Sequence, residues 1–172
     1  MNKAAFLQLI EENKGILYKI SASYCRNVSD REDLMQEMIY QLWKSAERFD
    51  ANYKFSTWMY RIALNVAISF YRKTGTGGVR VELGADVELA DGGAAAGSGS
   101  FAGDPLEERI ELLQRFIASL GNLDKALMIL YLEERPYKEI AEILGLTETN
   151  VATKLSRVKA RLKQQFLTTG GC

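Results

Sequence analysis

Nine of the fourteen glycines in this chain of 172 residues fall between Gly75 and Gly103, where the tract Gly92-Gly93-Ala94-Ala95-Ala96-Gly97-Ser98-Gly99-Ser100 carries no large side chain. A segment of that composition cannot bury enough apolar surface to offset the entropy of ordering it, and reads as a flexible linker. It divides the chain into an N-terminal half, 1–74, and a C-terminal half, 104–172. Each half is near the lower size limit for a self-sufficient core. Within the linker only Val79-Arg80-Val81-Glu82-Leu83 alternates like a strand, and a lone strand has nothing to pair with. The chain is expected to be two small domains on a tether.

Composition narrows the chemistry. With 47% hydrophobic and 26% charged residues the chain is globular in type. It contains no histidine, which removes the commonest general base and the commonest metal ligand. Cys25 and Cys172 stand in no metal-ligand spacing. A metal site, a cofactor and a disulfide framework are therefore not expected, and no small-molecule substrate is indicated. No apolar stretch approaches the roughly 18 residues of a membrane helix, and Met1-Asn2-Lys3-Ala4 lacks a signal-peptide layout. The expected compartment is the cytoplasm, where both thiols stay reduced.

Both halves have helical periodicity, so the fold class is all-α. Phe6, Ile10, Leu17, Ile20 and Tyr24 suggest one or two helices broken near Gly15. Ser29-Asp30-Arg31-Glu32 fits a capping box, followed by a stripe of Met35, Met38, Ile39, Leu42 and Ala46. A later helix carries Phe55, Met59, Ile62, Ala63, Val66 and Phe70 at the same period. In the second half Asp104-Pro105-Leu106-Glu107 is a helix start, with Leu106, Ile110, Leu113, Ile117 and Leu120 behind it. Three more helices are expected at about 124–134, 136–144 and 148–166.

The stretch from Pro136 to Val151 has the layout of a helix-turn-helix. Ile140, Ala141 and Leu144 form an inner face, with the small Ala141 where a second helix crosses. Gly145 permits a turn of positive φ, Leu146 plugs the core, and Thr147 caps the next helix. Val151 and Leu155 anchor that helix, leaving Ala152, Thr153, Ser156, Arg157 and Lys159 towards solvent. From Thr149 to Cys172 there are five basic residues and no acidic one. Thr153, Ser156 and Arg157 would meet base edges, with Lys154, Lys159 and Arg161 nearer phosphates. An ordinary αα-hairpin with a solvated basic face fits the same pattern.

A second acid-free window runs from Ala51 to Val81, holding Lys54, Arg61, Arg72, Lys73 and Arg80. Phe55, Trp58, Tyr60, Phe70 and Tyr71 are interleaved with those cations. Rings beside cations suit single-stranded nucleic acid, since bases stack while the backbone is neutralised. The competing reading puts most of these rings in the core, Phe55, Phe70 and Trp58 among them. Asn65 and Ser69 are polar positions on an otherwise apolar and aromatic helix.

Asp33-Leu34-Met35-Gln36-Glu37 followed by Leu42-Trp43, then Phe55-Ser56-Thr57-Trp58-Met59-Tyr60-Arg61-Ile62-Ala63-Leu64-Asn65, resembles region 2 of the bacterial extracytoplasmic-function (ECF) sigma factors of the sigma-70 superfamily. The second half, with its Tyr137-Lys138-Glu139-Ile140-Ala141 opening, is similar to their region 4. The resemblance covers both halves in the right order, with a linker between them and no region 3. It implies a non-enzymatic initiation subunit that binds core RNA polymerase and recognises promoter DNA.

On that resemblance Asp33, Gln36, Glu37, Tyr40 and Trp43 would dock on the clamp helices of the β′ subunit, while capping and solvation also account for Asp33 and Glu37. The loop from Arg48 to Lys54, including Asn52, and the helix after it resemble the element that captures a flipped non-template base of the −10 region. Trp58, Arg61, Asn65, Arg72 and Lys73 belong with it. Region 4 would read the −35 duplex from Thr147, Ala152, Thr153, Lys154, Ser156, Arg157, Lys159 and Arg161, and the β subunit is a further implied polymerase contact. Family members often carry a basic or aromatic residue where Ala152 and Ser156 stand, so DNA shape and phosphates should weigh more here. An anti-sigma factor is the family's usual further partner, and nothing in the sequence identifies one. A conventional helix-turn-helix regulator with a helical sensor domain and a helical protein-binding adaptor are the rival readings. A helical enzyme lacks the residues it would need.

Charge is distributed accordingly. Residues 1–74 carry 11 basic and 8 acidic side chains, 105–172 carry 10 and 9, and 75–104 carry 1 and 5. The overall neutrality averages segments of +3, +1 and −4, so it does not exclude DNA.

Overall fold

The computed structural model describes residues 2–74 and 104–169, the side chains of Lys73 and Thr74 excepted. The expected linker, the Val79–Leu83 strand and Cys172 lie outside the described residues. Seven α-helices and one short 3-10 turn make up the described residues, which separate into two compact units.

The N-terminal unit is built from α1 (Lys3–Tyr24), α2 (Val28–Ser45) and α3 (Phe55–Thr74), each packed on the other two. Helix α1 is unbroken, against the expected break near Gly15. Gly15 lies mid-helix facing open space, where a Cβ would meet nothing within 4 Å. A glycine there weakens a helix by about 1 kcal/mol relative to alanine but does not end it when the flanking turns are buried. Those turns carry Phe6, Ile10, Ile16, Leu17 and Ile20, all in the core.

Helix α2 also begins elsewhere than expected. Its cap is Asn27, two residues before Ser29: the Asn27 side-chain oxygen accepts from the Asp30 amide at 2.7 Å, and its Nδ2 donates to the Asp30 carboxylate at 2.6 Å. That pair satisfies the free Asp30 amide and adds a bond between the two side chains, where a Ser29–Glu32 box would have met the Glu32 and Ser29 amides. The Arg31 Nε donates to the Cys25 carbonyl at 2.9 Å and ties the start of α2 to the end of α1. The buried stripe of α2 is Leu34, Met38 and Leu42. Ile39, expected inside, is 39% exposed. Helix α3 buries Met59, Tyr60, Ala63, Leu64, Ala67 and Ile68, so Tyr60 is a core residue.

The C-terminal half contains α4 (Pro105–Ser119), α5 (Asn122–Leu132), α6 (Tyr137–Leu144) and α7 (Glu148–Thr169). Asp104 caps α4, its carboxylate accepting from the Leu106 amide at 3.1 Å. Phe116, Leu120, Met128 and Val158 join α4, α5 and α7 in one core, flanked by Ile117, Tyr131 and Leu162. The expected α4 stripe is only half realised, because Leu106 and Ile110 at its N-terminal end are exposed.

Helix α5 ends on a Schellman-type turn: the Arg135 amide donates to the Leu130 carbonyl and the Glu134 amide to the Tyr131 carbonyl. The residue carrying the left-handed backbone there is Glu134, at φ 56°. Glycine usually fills such a position, since a Cβ in it costs about 1–2 kcal/mol. At the corner between α6 and α7 that left-handed residue is the expected glycine, Gly145, at φ 69°.

Candidate nucleic-acid interfaces

In the helix-turn-helix, Ile140, Ala141 and Leu144 are buried, as are Val151 and Leu155. Leu146, expected to plug the core, is half-buried. The Thr147 hydroxyl accepts from the Asn150 amide at 3.1 Å and starts α7. With Val151, Leu155 and Val158 turned inward, the opposite side of α7 carries Thr153, Ser156 and Arg157, all exposed. Ala152 and Lys154 flank that face, half-buried. The Thr153 hydroxyl donates to the Thr149 carbonyl at 2.9 Å. Its proton is committed, and a lone pair and the methyl group remain for a partner.

Two of the expected phosphate-facing cations are held inside their own unit. The Lys159 ammonium stands over the Tyr131 ring, 4.8 Å from its centroid. Arg161 pairs with the Asp124 carboxylate at 3.7 Å. Both partners are on α5, far away in sequence, and no spacing rule within α7 points to them. Exposed pairs of this kind contribute about 0–1 kcal/mol, so DNA phosphates can compete for Arg161.

The N-terminal interface has a different construction. A 3-10 turn at Ala46–Arg48 leads into a short loop, and α3 opens at Phe55 without an acidic residue in its first turn. The loop is gripped at both ends by rings. Phe49 lies 5.4 Å from Phe55 and 5.2 Å from Trp58, centroid to centroid. Phe6 reaches from α1 to Phe55 at 5.9 Å, Trp58 at 6.1 Å and Trp43 at 5.8 Å. Such edge-on and tilted ring pairs each add about 0.5–1.5 kcal/mol beyond area burial. Trp58 is thus half-buried and packed, as the core reading of the aromatic window had it, while Tyr71 stays 46% exposed.

Beside and between those anchors Arg48, Asn52 and Lys54 are exposed, as is Arg61 one helical turn and more along α3. Asn65 is half-buried, and its Nδ2 donates to the Arg61 carbonyl at 2.9 Å. Because a carbonyl only accepts, the amide orientation is settled and the Asn65 carbonyl oxygen is left over. Arg72 is half-buried, and Lys73's side chain lies outside the described residues.

Two loop residues escaped the sequence reading. Tyr53 presents a ring 57% exposed, and Asp50 holds the loop's hydrogen bonds. The Asp50 carboxylate accepts from both the Asn52 amide at 2.9 Å and the Asn52 Nδ2 at 2.8 Å, while the Asp50 carbonyl accepts from the Tyr53 amide at 3.0 Å. The Asp-x-Asn spacing was the available signal, since aspartate favours the first position of such turns.

On α2, Asp33, Gln36, Glu37, Tyr40 and Trp43 are all exposed at spacings of three and four, away from the Leu34–Met38–Leu42 stripe. Glu37 accepts from Gln41 Nε2 at 2.8 Å. The Lys3 ammonium sits 5.1 Å from the Trp43 ring centroid. Among the described residues no group of three or more Cys, Asp or Glu is placed to hold a metal ion, and no helix is long and apolar enough to cross a membrane.

Comparison with known proteins agrees with this geometry. Residues 9–76 match the family Sigma-70 region 2, and residues 110–162 match Sigma-70, region 4. The ECF RNA polymerase sigma factor SigW of Bacillus subtilis is 31% identical over 171 residues, covering 94% of this chain and 89% of SigW. The RNA polymerase sigma factor CnrH of Cupriavidus metallidurans is 28% identical over 168 residues, covering 94% and 86%. The solved complex of CnrH with the cytosolic domain of CnrY shares the fold at a TM-score of 0.65 and 19% identity, over 95% of this chain and 88% of that one. The RpoE–NepR complex from Bartonella quintana does so at 0.63 and 20%, over 95% of both. Two helical units carrying two dissimilar candidate nucleic-acid surfaces, matched along nearly the whole chain, make this a non-enzymatic promoter-directing subunit of bacterial RNA polymerase: the chain belongs to the ECF sigma factors of the sigma-70 superfamily.

Proposed function

We propose that residues 1–74 dock on core polymerase and capture −10 bases, that 75–103 connect the halves, and that 104–172 read the −35 duplex. The observation that carries this division is the contrast between the two surfaces. One is a ring-anchored loop beside oriented carboxamides, suited to single unstacked bases. The other is a regular helix face with short polar side chains and an arginine, suited to a major groove. Asp33, Gln36, Glu37, Tyr40 and Trp43 form the docking face, on the β′ clamp helices. Arg48, Asn52, Lys54, Trp58, Arg61, Asn65, Arg72 and Lys73 serve the −10 strand, with Trp58 acting through packing. Thr147, Ala152, Thr153, Lys154, Ser156 and Arg157 face the −35 element, and Lys159 and Arg161 reach phosphates when released from Tyr131 and Asp124. Melting needs no catalytic group: trapping one or two bases offsets the few kcal/mol of local unpairing.

The protein would act in the cytoplasm, where polymerase and promoter are. An anti-sigma factor completes the proposed partners, supported by the RpoE relative of the same fold solved with the anti-sigma factor NepR. In vitro transcription with core enzyme on a randomised-promoter library tests the reading. Specific run-off transcripts are expected, and failure to co-elute with core at micromolar concentration would overturn it.

A further inference from the structure

We infer that Asp50 is a positioning residue for base capture, fixing the loop and the Asn52 carboxamide before DNA arrives. The inference rests on the reading of the Arg48–Lys54 loop as the −10 element. Asp50 stands at the border of the acid-free window 51–81. A carboxylate in a surface meant for phosphates opposes binding, so its presence calls for another task. Its geometry supplies one. A single oxygen, Oδ1, accepts from the Asn52 backbone amide at 2.9 Å and from Asn52 Nδ2 at 2.8 Å. The Asp50 carbonyl closes the turn on the Tyr53 amide at 3.0 Å.

An ionised carboxylate only accepts, so Asn52 must turn its NH₂ towards Asp50. The Asn52 carbonyl oxygen and one remaining N–H are then available as an oriented pair for a base edge. Phe49 on one side and Phe55 on the other clamp the loop ends. The tip between them has no ring contact of its own and owes its shape to Asp50. Holding it in the free protein removes the ordering entropy that binding would otherwise have to offset.

The test uses the full chain assembled with core polymerase, on promoters carrying each of the four bases at each −10 position. Wild type should discriminate at one position or more. Asp50→Ala should reduce the best-to-worst ratio there roughly tenfold, the scale of one well-placed base contact. Asp50→Asn keeps an accepting Oδ1 and should retain the ratio within roughly twofold, the usual scale of a surface change. In the free full chain, exchange of the Asn52 and Tyr53 amides should quicken in Asp50→Ala and not in Asp50→Asn. Thermal unfolding of both variants should match wild type. Unchanged discrimination in Asp50→Ala, or equal loss in Asp50→Asn, would overturn the positioning role while the base-capture reading stands. A wild-type protein indifferent to every −10 base would overturn that reading, and the proposal with it.

Discussion

The two proposed nucleic-acid surfaces are built by opposite means. In the C-terminal unit the surface is a byproduct of helix periodicity: burying Val151, Leu155 and Val158 puts Thr153, Ser156 and Arg157 outside. Two of its cations lean back on α5, on Tyr131 and Asp124. In the N-terminal unit the surface is an irregular loop that would have no fixed shape without rings from α1 and α3 and the carboxylate of Asp50. A helix face is inexpensive to build and tolerant of substitution, but here it carries few groups able to tell one base from another. The loop takes five aromatic residues to position, and with α3 it offers two carboxamides of settled orientation, Asn52 and Asn65. Selectivity should therefore rest more on the N-terminal unit, with the C-terminal one contributing register and phosphate contacts.

The largest test of that contrast is Phe6→Ala. Phe6 is buried and touches Trp43, Phe55 and Trp58, so its loss should destabilise the N-terminal unit by about 3–5 kcal/mol. Both tryptophans, Trp43 and Trp58, are in that unit. Their emission should show an earlier unfolding transition while part of the far-UV circular dichroism melts as in wild type. One coincident shift in both signals would mean that the units stand or fall together.

Next comes Arg157→Ala, expected to weaken −35 duplex binding by about 1–3 kcal/mol if the guanidinium holds a guanine. Arg161→Ala should lose less than about 1 kcal/mol, because its charge is already shared with Asp124. Titrations at two salt concentrations separate them. If the two arginines prove equal, the helix face works as a general cationic strip and the comparison sharpens in favour of the loop.

Alkali should act on the N-terminal unit. Burial pushes the Tyr24 phenol well above its ordinary value. The folded state keeps it neutral, so the unfolded chain releases its proton first. The associated stability is complete below about pH 10 and falls by up to about 1.4 kcal/mol per pH unit above it. Tryptophan emission followed against urea at rising pH measures this, and Tyr24→Phe should flatten the dependence. The smallest effect belongs to the other unit: Glu134→Gly should raise its stability by about 1 kcal/mol, by relieving the left-handed backbone at φ 56°. Calorimetry of the full chain reads it as a small upward shift confined to one transition.

Legibility in the sequence divides along the same line. Where structure follows from local chemistry, the residues announced it: Asp104 and Thr147 are caps, Gly145 is the left-handed corner, and the inner faces of α6 and α7 are as their spacing requires. Local rules failed where two candidates competed or where the partner was remote. Asn27 displaced Ser29 as the cap, its side chain taking the Asp30 amide and also bonding the Asp30 carboxylate. Ile39 lost its place in the core to Leu34, since α2 is packed between α1 and α3 along a strict four-residue stripe. The ring contacts of Phe6, and the ties of Lys159 and Arg161 to α5, join residues tens of positions apart. No periodicity encodes them.

One consequence of the ring cluster reaches beyond stability. Through Phe6, Trp43 on α2, the proposed docking helix, is joined to Phe55 and Trp58 at the base of the loop, ring against ring. The separation between the proposed polymerase-facing side and the proposed base-capturing tip is thus spanned by packed rings. On the proposed reading the N-terminal unit would act as a gauge block: wherever polymerase seats one end, the other end would meet the DNA strand at a fixed offset.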